Sequence, residues 1–173
     1  MISRGDLVLG RMDERIVPLT EILRLNTLLF RNCLVGMTEE QSRRRPTPTM
    51  NHAAFVAAHV TNARFFLLKT LGAGQPSPLA PYIGSARCLD DVPRWPTLAE
   101  TEAAWTHGGR ALRERLDAMT AADLDCPATP GFPREGTSRL STLAFLVEHE
   151  AYHIGQLSLL RTYVGLPPMK YPS

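Results

Sequence analysis

A chain of 173 residues, 44% hydrophobic and 21% charged, has the size and composition of one globular domain with a continuous core, which argues against a disordered protein or a membrane protein. Nineteen basic residues against 17 acidic ones leave a net charge of +2, too little for the phosphate tracking that dominates nucleic-acid affinity, so no nucleic-acid partner is expected. Cys33, Cys88 and Cys126 are odd in number and widely spaced, which argues for reduced structural thiols. With no leader pattern at the N-terminus and no run of roughly 18 apolar residues, a cytoplasmic protein without membrane attachment is expected.

Between Pro18 and Val35 the residues Leu19, Ile22, Leu23, Leu29, Phe30 and Cys33 recur at helical spacing, and Gly36 stands where a left-handed cap closes a helix. Thr38-Glu39-Glu40-Gln41 has the spacing of a capping box and predicts a short turn before Pro46 and Pro48. The basic run Arg43-Arg44-Arg45 sits between acids and prolines and reads as a solvated connector. A second helix follows, capped by Asn51 or Thr49 and running to about Leu71, where Gly72 and Gly74 end it.

Residues 72 to 96 hold five prolines and three glycines, an unusually long connection for a compact domain and hence a surface crossover or a lid. Thr97-Leu98-Ala99-Glu100 is a second capping box, opening a helix whose apolar line is Leu98, Trp105, Leu112, Leu116 and Met119. Gly108 and Gly109 interrupt it at a cost of about 1 kcal/mol or more relative to alanine, which predicts close approach of a neighbouring helix or a kink. After a second Pro/Gly-rich connection over 120–138, Ser138 or Ser141 caps a fourth helix that stops at Gly165-Leu166-Pro167-Pro168. With no strand alternation and no internal repeat, the expectation is all-α: a single four-helix-bundle domain over residues 1–173 with long crossover connections.

The fourth helix carries His149-Glu150-Ala151-Tyr152-His153, which fits the zinc-protease pattern H-E-x-x-H letter for letter. The protease reading fails on context. Residues 154 to 173 contain no Glu, His or Asp to serve as third ligand, and no strand is available to hold an extended peptide. His149 and His153, about 40° apart around the helix, still project from one face and can share an ion, while Glu150 falls to a supporting or surface place. On the second helix Phe55, His59, Ala63 and Phe66 follow at three- and four-residue steps, so His59 is also read as inward. His52 lies at the solvent end of that line and His107 flanks the third helix. Hydrogen-bonded core histidines are the plain alternative, but three neutral rings that a bundle can bring together suit a divalent ion with an open position.

The stretch "AAHVTNARFF" on the second helix together with "HEAYHIGQLSLLR" near the C-terminus resembles the DinB/YfiT-like family of four-helix-bundle metalloproteins over nearly the whole chain. The resemblance implies His59, His149 and His153 as metal ligands, with zinc or nickel as the divalent metal ion, and it leaves His52 outside the matching position. It further implies a metal-dependent transferase or isomerase that activates a low-molecular-weight thiol towards an electrophilic substrate, with no catalytic residue identified beyond the ligands. Hydrolysis by activated water and a non-catalytic small-molecule or partner-binding module are the rival readings. Gln156, one turn beyond His153, is placed to orient its imidazole. Arg64 and Arg161 are read as exposed and left out of the site, and a homodimer is expected without a defined seam.

Overall fold

The computed structural model describes residues 12–84, 89, 92, 94–128 and 135–172. After a 3-10 turn at Glu14–Ile16 come α1 (Val17–Leu34), α2 (Glu39–Ser42), α3 (Ala53–Thr70), α4 (Ala80–Ile83), α5 (Leu98–Asp117), α6 (Ala121–Asp125) and α7 (Arg139–Tyr163). The fold is all-α, and α1, α3, α5 and α7 are its four long rods. Among the described residues no helix is long and apolar enough to cross a membrane.

The local signals act where they were read. Thr38, Thr97 and Ser138 accept hydrogen bonds from backbone N–H groups of the turns they open, and Gly36, Gly72 and Gly165 take φ of 75°, 82° and 88° just past α1, α3 and α7, a conformation open to glycine at little cost. One cap differs from expectation. Neither Asn51 nor Thr49 caps α3; His52 does, its Nδ1 accepting from the Phe55 N–H at 3.0 Å. An imidazole acceptor serves here because the ring also packs edge-on against Trp95, which shields it from water. The two connections carry short helices, α4 and α6, that the proline and glycine content obscured. Cys88 lies outside the described residues, while Cys33 and Cys126 are free thiols.

α7 packs against α1 and α3, α3 also packs against α5, and α1 and α5 touch most lightly. In cyclic order the rods are therefore α1, α7, α3 and α5. Two apolar clusters fill the interior, one around Leu23, Leu68, Leu112, Leu116 and Leu143, the other around Phe30, Val56, Val60, Trp105 and Leu157. Between them lies a polar layer built on Arg64, which is not exposed as its helical setting suggested but 1% accessible. It reaches every other rod. Nε and Nη2 donate to the Glu150 carboxylate of α7 at 2.7 and 2.8 Å, Nη1 donates to Thr27 of α1 at 3.1 Å, and the guanidinium stacks 3.3 Å from the centre of the Trp105 ring of α5.

The glycine pair on α5 makes room for this layer. A Cβ on Gly108 would stand 3.1 Å from Phe65 and one on Gly109 only 2.8 Å from Arg64 Nη1, so the predicted close approach of a neighbouring helix is α3 itself. Arg161 is also buried rather than exposed, donating to the carbonyls of Cys33, Val35 and Pro167 and so fastening the end of α1 to the end of α7.

Candidate metal centre

His59 on α3 and His149 and His153 on α7 meet across the seam between those two helices. The Nε2 of His149 lies 3.3 Å from Nε2 of His59 and 3.1 Å from Nε2 of His153, and one nitrogen from each of the three rings lies within 4.8 Å of the others. The three are half-buried, which corrects the reading of them as inward on the core-facing stripes. The line of α7 that enters the core runs through Leu143, Leu146, Val147, Glu150, Ile154 and Leu157. His149 and His153 stand beside it at the rim of the seam, as His59 stands beside Val56, Val60 and Arg64 on α3. Each ring has an aromatic neighbour: Phe55 stacks parallel to His59 with centroids 5.9 Å apart, Phe145 lies 6.2 Å from His149, and Tyr152 meets His153 edge-on at 5.1 Å.

Electrostatics and hydrogen bonding both favour neutral rings with nitrogens turned inward. Burial holds all three below the usual histidine range; the neighbouring His153 and His59 add to this at His149, which is pushed down to about 4. The Nδ1 of His153 is 2.7 Å from Gln156 Oε1, an acceptor, so that nitrogen carries the hydrogen and Nε2 presents its lone pair to the other rings. Gln156 is itself held, its Nε2 donating to the Tyr152 hydroxyl at 3.1 Å. With one hydrogen per ring, three converging Nε2 atoms cannot all be satisfied by one another, and the buried Nδ1 of His149 has no partner to relieve the conflict.

A divalent cation fits this set. Tetrahedral bonds of about 2.0–2.1 Å to three imidazoles place their nitrogens about 3.3–3.4 Å apart, close to the 3.1 and 3.3 Å found here. Among the described residues this is the only cluster of its kind. Glu150, by contrast, faces the bundle centre, where Arg64 takes both its oxygens and Asn26 donates at 3.4 Å. It is neither a surface residue nor placed as the base of an H-E-x-x-H protease.

His52 takes no part. It is 5% exposed, occupied as the α3 cap, and burial pushes it down to about 4 from 6.5. Because the folded value is depressed, protonation favours the unfolded chain: this residue's contribution to stability is whole above pH 6.5 and is lost as pH falls towards about 4. His52→Asn, which keeps a capping acceptor, is expected to melt with a shallower loss of Tm than the parent between those pH values, whereas parallel curves would count against the assignment. His107 flanks α5, its ring bonded to Gln75 at 3.1 Å.

A helical bundle that gathers three histidines from two of its rods at one seam presents a donor set that could hold a metal ion. Residues 23–157 match the model of the DinB superfamily, and the chain belongs to that family. It is similar in fold to a conserved protein from Enterococcus faecalis, whose crystal structure aligns with a TM-score of 0.69 at 14% identity over 86% of this chain and 96% of the other. No curated protein sequence matches the chain significantly.

Proposed function

We propose that His59, His149 and His153 hold one divalent ion, zinc or nickel, and that the protein is a metal-dependent transferase acting on a low-molecular-weight thiol and an electrophilic substrate. The observation that carries this reading is that His149 Nε2 lies 3.3 and 3.1 Å from the Nε2 atoms of His59 and His153, close to the spacing of tetrahedral ligands, with a nitrogen of each ring within 4.8 Å of the others. Three neutral donors leave the ion its full charge and an open position, where it would favour the thiolate form of a small thiol, or activate water in the same way.

The chain's own residues arrange the rest. Gln156 selects the tautomer of His153, and Tyr152 fixes Gln156. Phe55 and Phe145, both half-buried, flank His59 and His149 with apolar surface that displaces water there and strengthens electrostatic interactions. Gln156→Leu is expected to weaken metal binding about 10- to 100-fold, as loss of an outer-shell partner typically does, read by competition with a chromophoric chelator. Unchanged affinity would remove Gln156 from the site.

The reaction is tested by stripping the protein, reloading it with zinc or nickel, and following the loss of several cellular thiols in the presence of a chlorinated or maleyl-type electrophile. Acceleration that needs both metal and thiol supports the transferase. A loaded protein that accelerates no thiol reaction would instead favour a hydrolase or a non-catalytic binding module.

A further inference from the structure

On the opposite side of the bundle from the histidines, α1 and α5 part around a cleft of about 410 Å³. Its size lies within the range of small-molecule sites, about 300–1,000 Å³. Leu23, Leu112 and Leu116 wall it with apolar surface, and Leu28 stands half-buried at one lip. The floor is Arg64, reached because Gly109 has no Cβ to close the way.

Charge within the cleft is unevenly matched. At the floor the Arg64 guanidinium is neutralised by Glu150. At the lips stand Arg24 from α1 and Arg110 and Arg113 from α5, all exposed, with Glu21 the one acid among the lining residues. Glu21 is taken up by Arg24 at 3.0 Å, Arg113 lies 3.9 Å from Asp117, and among the described residues Arg110 reaches only the His107 ring, at 3.5 Å. The net positive charge is therefore at the mouth, on the α5 lip, where Arg110 faces no acid and Arg113 is held only by a long, solvated contact to Asp117, above an apolar interior.

We infer that this cleft is a second ligand site, separate from the histidine cluster, that takes a small amphipathic carboxylate with its apolar tail between α1 and α5 and its carboxylate at Arg110 and Arg113. The tail gains by leaving water against the leucines, and the head gains charge-assisted hydrogen bonds from guanidinium groups that stay solvated and so cost little to engage. A neutral molecule of the same shape gains only the first.

Calorimetric titration of the metal-loaded protein with decanoate, below its aggregation concentration, tests this. Saturable binding of one decanoate per chain is expected, with 1-decanol about tenfold weaker or worse. Arg110→Glu combined with Arg113→Glu is expected to weaken decanoate by about tenfold or more, and Leu28→Trp to block it, both with metal content unchanged. Absence of binding, equal affinity for the alcohol, or indifference to the arginine reversal would overturn the assignment. So would sedimentation showing a dimer that Leu28→Trp splits while decanoate fails to bind, since the cleft would then be a seam between two copies.

Discussion

His149→Ala, purified without a nickel column, is expected to hold little or no metal, with affinity reduced by about a hundredfold or more, equivalent to roughly 3 kcal/mol. His149 has the central place, since its Nε2 lies within 3.3 Å of both partners, and its loss leaves two rings that no longer define a three-donor site. His59→Ala and His153→Ala should behave alike, whereas His52→Ala, which removes a cap, should retain the ion. Stability reports the same event. Free metal at about 100 times its dissociation constant stabilises a binding-competent fold by about 2.7 kcal/mol, so zinc should raise the Tm of the parent and leave that of His149→Ala where it was. Direct metal analysis of the reconstituted parent is the decisive measurement, and a wild-type chain that takes up no ion would end the metal reading and the function built on it.

Glu150→Gln is expected to destabilise the fold by about 3–5 kcal/mol, because it strands the Arg64 charge in the bundle centre. That is a large share of the 5–15 kcal/mol typical of a whole domain. The pair is 1% and 2% exposed, so little solvent is available to shield the remaining guanidinium, and its stacking on Trp105 holds it in place. Arg64→Met combined with Glu150→Leu should be distinctly less damaging than Glu150→Gln alone, since a buried pair replaced by apolar side chains of similar volume removes both desolvation costs together. Chemical denaturation of both variants checks this. A double variant no better than the single would mean that the layer contributes more through geometry than through charge.

That layer also marks where a one-dimensional reading weakens. Asn26, Arg64 and Glu150 each occupy a position on a buried stripe, between Leu23 and Phe30, between Val60 and Leu67, and between Leu146 and Ile154. Three polar residues each interrupting such a stripe were a usable sign of a shared interior network. Their partnership was not legible, because Arg64 and Glu150 are 86 residues apart and helical periodicity carries no information about which rods face each other. The histidines were misplaced for a related reason. Phe55 and Phe66 give the His59 stripe an apolar look, yet Phe66 is exposed, and the rings that flank the three histidines, Phe55, Phe145 and Tyr152, stand at the rim of the α3 and α7 seam with Tyr152 exposed. The helix α6 carried a signal in plain view: Thr120 and Asp123 form a capping box with aspartate in the third place.

What the sequence determined by itself was local: the four long helices, the caps Thr97 and Ser138 that open α5 and α7, the glycines that end α1, α3 and α7, the close approach at Gly108 and Gly109, and three histidines at spacings that let them share a partner. Caps and periodicity depend on neighbours within about one turn, so they are written where they act. Tertiary structure alone decided that the seam between α3 and α7 brings His149 Nε2 within 3.3 Å of the other two rings, that Glu150 turns away from them to Arg64, and that α1 and α5 stand apart over a cleft. Those outcomes depend on how four rods rotate and pair to bury their stripes together, an arrangement set by all the side chains of the core at once.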